Sequence, residues 1–510
     1  MAWHPDAPQG NESRKVRFDV LPYCVQGLDI GCGGAKVWPH LIGIDSGKDT
    51  ELFGVTMKPD IVVHDAARLS LFASGSVQSI FSSHLLEHIQ NYKDALAEWW
   101  RVVAPGGYLV LYLPHANLYP NIGQPGSNPD HKHDFMPADI IDAMREIAPD
   151  FDLLVNEDRD QGIEYSFLQI YQKGGSGQRY TWAMPKPAKT AGLVRFGGHG
   201  DALWASSVAA HLKRDGYQVT AYVASTGGEI LAHDPNIDRL IVVPNNVLAD
   251  DDLLEYYAHE AKKYDKWANL IGSVEDRLLV HPNDPTFYLP HALRHQLMNV
   301  NYLDMVHDYA GVPRENLQKF YPTEAESKWA AEMRAKLDGP LVVINPAGSG
   351  PSKFWPHTQL LMQTLADAGI YSVVLGDLDA APELTDIEPY AWIVGKQWPV
   401  RHALAYALQA DAVVATESLI ANAVAMEPML KVIMLSHSSV ENLTRDWVNT
   451  ASIEPLSVAC YPCHRIHGHS LHFCSRDTNT GASACMASAP VETIANLITQ
   501  QIGARIVRAA

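Results

Sequence analysis

The chain has 510 residues, which at about 100–200 residues per domain suggests three folding units. Apolar residues make up 47%, enough for sizeable buried cores, yet no stretch reaches the ~20 uninterrupted apolar residues of a membrane span. A formal charge of −19 disfavours non-specific attraction to nucleic acid and to anionic membranes, without excluding a local basic groove. The opening MAWHPDAPQGNESRK is polar and lacks the apolar core of a signal peptide, so the expected location is cytoplasmic.

Residues 27–30 form a short apolar strand that runs into Gly31-Cys32-Gly33-Gly34. Glycines there let the backbone turn tightly and approach a ligand. A second strand, 41–44, ends in Asp45, and an acid at that tip can accept hydrogen bonds from ribose hydroxyls. Strand 60–64 enters Asp65-Ala66, and strand 77–82 enters His84-Leu85-Leu86-Glu87-His88. A helix over 92–103 leads to Pro105-Gly106-Gly107 and the strongly apolar strand 108–113. The run 166–171 reads as a closing strand, and the Gly/Pro-rich stretch 173–189 that follows is linker chemistry.

In this order LDIGCGG, GID, HDA, SSHLLEHI and RVVAPGGYLVLYLP resemble the motifs of class I S-adenosylmethionine-dependent methyltransferases, over about 28–172. The resemblance implies a seven-stranded sheet with the methyl donor above the strand ends. It places Gly31 and Gly33 under the methionine part of the cofactor, Asp45 at the ribose, Asp65 at the adenine, and Asp29 and His84 in the cofactor set. The spacing from Asp29 to Asp45 is somewhat short for this family, so the first helix must be brief. Plainer readings stand beside these. The glycines can be a simple turn, Asp45 and Asp65 can be caps, and His84 and His88 can be ordinary helix histidines. The segment 117–135 holds His131, His133 and Asp134. Methyl transfer to a hydroxyl asks for a nearby base, and His131 or His133 is the candidate. A polar loop with capping residues, and a metal site of the same three side chains, are the alternatives.

A second α/β region opens with strand 190–196, the loop Gly197-Gly198-His199-Gly200-Asp201 and a helix over 202–215. Glycines at such a strand-to-helix turn suit an anion. After a weaker break near 336–340 the scheme repeats: strand 341–345, a loop 346–356 with Ser349, Ser352 and Lys353, and strand 412–414 followed by Thr416-Glu417-Ser418. The expected domains are therefore 1–178, 186–336 and 337–510, all α/β.

Two Rossmann-like halves of this kind resemble GT-B glycosyltransferases, and in particular the heptosyltransferase family, glycosyltransferase family 9. The likeness rests on FGGHGDALWASSVAAHLK, INPAGSGPSKFWP and CYPCHRIHGHSLHFC with CMASAPVETI. It implies inverting sugar transfer from a nucleotide-sugar, ADP-linked in that family, to a glycan of lipopolysaccharide type. Asp201 becomes the general base. Lys353, with Ser349 and Ser352, neutralises the diphosphate, and Glu417 and Ser418 lie by the donor. Leu419 stands where the family has a glycine, and Asn422 where a histidine is common. Otherwise Asp201 is a helix cap, Lys353 a solvated lysine, and Glu417 a helix-dipole partner. Cys460, Cys463, Cys474 and Cys485 follow a C-x2-C-x10-C-x10-C pattern with His464, His467, His469 and His472 interleaved. These spacings are not those of a common zinc ribbon, so no metal is assigned and zinc stays the lesser alternative to free or paired thiols.

The whole reads as a bifunctional enzyme that uses S-adenosylmethionine and a nucleotide-sugar on related glycans. One alternative is an enzyme that modifies nucleic acid, for which no aromatic-basic stacking segment speaks. The other is a working methyltransferase joined to a degenerate GT-B module.

Overall fold

The structure, a computed structural model, describes residues 12–48, 51–52, 55–148, 150–174, 189–244, 247–248, 250–379, 384–468 and 470–509. Most of the expected linker, residues 175–188, and His469 lie outside the described residues. By its contacts the chain divides into two compact units, residues 1–187 with 243–260, and residues 188–242 with 261–510.

In the first unit, seven strands form one sheet: β1 (Leu28–Ile30), β2 (Ile42–Asp45), β3 (Ile61–Val62), β4 (Val77–Ser83), β5 (Val103–Pro114), β6 (Phe151–Arg159) and β7 (Ser166–Lys173). Their order is β3-β2-β1-β4-β5-β7-β6, with β7 antiparallel to both its neighbours. The strand order reverses between β1 and β4, which opens a crevice beyond their carboxyl ends, where such sheets bind ligands. Helix α1 (Tyr92–Val102) buries Ala95, Leu96, Trp99, Trp100 and Val102, the 3–4 residue spacing of one apolar face. Trp99 keeps its indole N–H satisfied by donating to the Ala66 carbonyl at 2.8 Å. Strand β5 is longer than the apolar run suggests. It begins at Val103 and takes in the Pro105-Gly106-Gly107 turn, and its pairing with β4 shifts register there. Residues 243–260 belong to this unit: on the helix Asp250–Ala261, Glu255 pairs with Arg17 at 2.7 Å and Tyr256 packs 6.0 Å from the Phe18 ring.

The second unit holds two parallel sheets. In the first, β8 (Thr190–Arg195), β9 (Gln218–Val223), β10 (Arg239–Val242) and β11 (Lys266–Asn269) lie in the order β10-β9-β8-β11. In the second, β12 (Leu341–Asn345), β13 (Tyr371–Leu375), β14 (Ala391–Gly395), β15 (Ala412–Thr416), β16 (Leu430–Met434) and β17 (Thr450–Ile453) lie in the order β14-β13-β12-β15-β16-β17. Strands β12 and β15 are buried at every position, as central parallel strands covered on both faces must be, and so they read as unbroken apolar runs. Helix α2 (His199–Arg214) leaves β8, helix α3 (Val400–Ala407) precedes β15, and the short helix α4 (Leu419–Val424) follows it. Arg401 of α3 ties the two sheets' surroundings together. It donates to both oxygens of Glu326 at 2.7 and 2.8 Å and to the carbonyls of Glu229, Ile230 and Tyr321.

The α/β class is as expected: a Rossmann-like seven-stranded sheet, then two Rossmann-like parallel sheets. Among the described residues no helix is long and apolar enough to cross a membrane.

Candidate functional site

At the carboxyl end of β1 the glycine loop is fixed by the backbone. Gly31 has φ +78°, and a Cβ on it would lie 2.9 Å from the Leu85 side chain, so only glycine fits between β1 and the turn after β4. The Gly33 amide donates to Asp45 Oδ2 at 2.9 Å, which links the loop to the tip of β2. Asp45 Oδ1 accepts from the Ser46 amide at 2.7 Å. Asp29 is buried, accepts from the Val37 amide at 2.6 Å, and is pushed up by burial to about 7; it braces the loop from inside. Asp65 lies exposed at the end of β3, where its Oδ1 accepts from the Ala67 amide at 3.0 Å. The structure thus brings Gly31, Gly33 and Asp45 together and places Asp29 beneath them.

The turn after β4 is not the helix that the spacing of His84 and His88 suggests. It is a 3-10 turn, Leu86–His88, entered through His84 at φ +49°. His84 Nε2 meets Ser166 Oγ at 2.9 Å. Glu87 is fully buried, and burial pushes its carboxyl up to about 8. Its backbone carbonyl accepts from the amides of Lys132 at 2.7 Å and His133 at 3.2 Å, which draws the loop 117–135 over the turn. His131, His133 and Asp134 are not brought together. His131 faces Glu87, whereas His133 Nε2 approaches the Ile89 and Gln90 carbonyls at 3.2 and 3.1 Å, and Asp134 accepts from the Ile122 amide. Burial pulls the His131 imidazole down to about 4.

In the second unit, a cleft of about 840 Å³ collects side chains from both sheets. Asp201, Ser349, Ser352, Lys353, Glu417 and Ser418 all line it. Asp201 sits in the first turn of α2, and its Oδ2 accepts from the Gly198 amide at 2.7 Å, so it does cap the helix. Its other oxygen faces Arg195 at 3.0 Å, and Arg195 also holds Glu275 at 2.6 Å and donates to the Leu270 carbonyl at 2.7 Å. A Cβ on Gly197 would meet Asp201 Oδ2 at 2.4 Å, which explains a glycine there. Burial, helped by Glu275, raises the Asp201 carboxyl against the pull of Arg195. A carboxylate so placed can accept a hydroxyl proton.

Lys353 is positioned by anchors in the loop around it. Trp355 is buried with its indole on the Ala489 carbonyl at 3.2 Å, and Ser483 Oγ donates to the Ser352 carbonyl at 2.7 Å. Lys353 Nζ donates to the Glu417 carbonyl at 3.2 Å, and burial lowers its ammonium against the attraction of Glu417. Glu417 is not merely a dipole partner on a surface helix. It is buried, Oε1 accepts from the Ser436 and Ser438 amides at 2.7 and 3.1 Å, and His437 Nε2 lies 2.9 Å from Oε2. Burial raises its carboxyl, but His437, Lys353 and the Ser436 amide outweigh it and hold it at about 2. Ser418 caps α4, and Asn422 spends its side chain on Trp204 at 3.0 Å and the Ser418 carbonyl at 3.0 Å. The sequence reading missed Arg195, Glu275 and His437; a charged residue ending an otherwise apolar strand, as Arg195 does, was the available signal. Cys460, Cys463, Cys474 and Cys485 line one small cavity of about 30 Å³ with His437 and His467.

Residues 28–111 match the family described as "Methyltransferase domain". Among solved structures, the chain is similar to a glycosyl transferase family 9 protein from Veillonella parvula at 15% identity, over 62% of this chain and 99% of that one, with a TM-score of 0.46. It is similar to the ADP-heptose LPS heptosyltransferase II of E. coli at 14% identity, over 62% and 99%, with a TM-score of 0.43. It is also similar to a SAM-dependent methyltransferase from Archaeoglobus fulgidus at 18% identity, over 32% and 92%, with a TM-score of 0.23. No curated protein matches the chain.

Proposed function

We propose that the chain is a bifunctional enzyme acting on glycans. Its first domain, 1–178, transfers methyl from S-adenosylmethionine. Its second and third domains, 186–336 and 337–510, transfer a sugar with inversion from a nucleotide-sugar. The observation that carries the sugar-transfer reading is the convergence in one 840 Å³ cleft of Asp201 and Lys353, from different sheets. A carboxylate raised by burial suits a general base, and a partly buried cation in the same cleft suits a diphosphate leaving group. Ser349, Ser352, Glu417 and Ser418 complete the donor side. An ADP-sugar donor and a lipopolysaccharide-type acceptor follow from the resemblance of the loop sequences.

In the first domain Gly31, Gly33 and Asp45 hold the methyl donor, with Asp29 bracing the loop and Asp65 at the adenine end. A degenerate second half is favoured by one feature: Asn422, where a histidine is common in the family, is engaged by Trp204 and Ser418. Calorimetric titration of the full chain with S-adenosylhomocysteine and, separately, ADP, UDP and GDP tests both readings. Binding of S-adenosylhomocysteine with one nucleotide is expected. Binding of S-adenosylhomocysteine alone supports the degenerate module, and binding of neither overturns the proposal.

A further inference from the structure

We infer that Glu87, His88 and His131, with His84 beside them, form a binding site for a divalent transition-metal ion. Glu87 is fully buried, yet neither of its carboxylate oxygens accepts a hydrogen bond from a neighbouring residue. Such an orphan carboxylate is costly unless something completes it. Three imidazole nitrogens surround its Oε1: His84 Nδ1 at 3.8 Å, His88 Nε2 at 3.9 Å and His131 Nε2 at 3.9 Å. The ligand atoms of Glu87, His88 and His131 all lie within 4.8 Å of one another.

These separations are too long for hydrogen bonds. A tetrahedral ion with bonds of about 2.0–2.1 Å places its ligand atoms about 3.4 Å apart, so His88 and His131 need to close on Glu87 Oε1 by about half an ångström, and on each other by no more than about 1.4 Å. One neighbouring imidazole is already oriented from behind. His84 Nε2 meets Ser166 Oγ at 2.9 Å. Outer partners of this kind fix which ring nitrogen faces a metal. The loop carrying His131 is held in place by the two amides that donate to the Glu87 carbonyl. His88 is a quarter exposed, which leaves a way in for an ion. Imidazole with carboxylate suits zinc, iron, cobalt or nickel rather than magnesium or calcium. The site abuts the glycine loop, since Leu85 contacts the space beside Gly31. The proposal rests on this geometry and not on the methyl-transfer reading.

The test is cobalt(II) titration of the chelator-stripped full chain, followed by visible absorption. Wild type should develop cobalt d–d bands that saturate at a fixed stoichiometry. Sulfur-to-cobalt charge-transfer bands in the near ultraviolet would belong to the cysteine cavity, and Cys463→Ser removes them without touching this site. Glu87→Gln and His131→Asn should each weaken cobalt binding at least tenfold. His88→Gln, at the exposed edge, serves as the variant least harmful to folding, and S-adenosylhomocysteine affinity reports separately on the intactness of the domain. Failure of wild type to bind cobalt outside the cysteines, or binding that all three variants leave unchanged, overturns the proposal.

Discussion

Asp201→Asn separates the helix cap from the base role proposed for the same carboxylate. Asparagine retains an oxygen for the Gly198 amide, now at 2.7 Å, so the helix cap survives. What it loses is the charge facing Arg195 at 3.0 Å. Arg195 is not left unpaired, because Glu275 at 2.6 Å and the Leu270 carbonyl at 2.7 Å remain. Losing one of several charge-assisted bonds costs about 1–2 kcal/mol, and the melting temperature should fall by only a few degrees. Asp201→Ala removes the cap as well and should cost about 1 kcal/mol more. Catalysis responds on a different scale. Loss of a general base slows the chemical step about 10²–10⁴-fold, or about 3–5 kcal/mol in barrier. The assay is nucleoside diphosphate release from the donor selected by calorimetry, run beside thermal melting of both variants. A folded Asp201→Asn protein that transfers sugar at more than about a tenth of the wild-type rate would refute the base assignment and leave Asp201 a cap.

Lys353→Ala should weaken nucleoside diphosphate binding at least tenfold while S-adenosylhomocysteine affinity stays unchanged, both read by calorimetry. Gly31→Ala forces a Cβ to 2.9 Å from Leu85 at φ +78°, so S-adenosylhomocysteine binding should be lost or weakened by an order of magnitude or more; unchanged affinity would remove the loop from the cofactor site. Glu326 is held at about 2 because Arg401 and the Thr323 amide outweigh burial, which by itself would raise it. Its folded value lies below its unfolded value, so its contribution is present above about 4.5 and is lost as pH falls toward 2. That contribution is about 3 kcal/mol, and Glu326→Gln should be less stable than wild type at pH 7 by a similar amount, with the gap closing in acid denaturation curves.

Much of this architecture could be read from the chain itself, for a physical reason. Central parallel strands are covered on both faces, so 341–345 and 412–414 stand out as apolar runs, and the turns beyond them need glycine or small polar residues. The same logic exposed the order of strand, glycines, strand and acid from residue 27 to Asp45. Asp201 and Lys353 could be named because their loops resemble a family, although nothing in their spacing shows that they share a cleft. Other features depend on distant segments meeting. Glu87 and His131 are joined by backbone bonds from Lys132 and His133, which no periodicity signals. His84 and His88 have helical spacing, but the αL conformation of His84 turns them around a single carboxylate instead. Arg195, Glu275 and Asp201 form a charge group only after β8 and the segment beyond β11 have paired.

The placement of residues 243–260 has a consequence for how such a gene can be divided. The polypeptide crosses from one compact unit to the other at 187/188, 242/243 and 260/261. A cut in the Gly/Pro-rich stretch would therefore not release two finished proteins. The leading fragment would lack the helix whose Tyr256 packs near Phe18, and the trailing fragment would carry that helix with its apolar face bared. Recombination, truncation or separate expression must keep the two units on one reading frame, so they are made one to one.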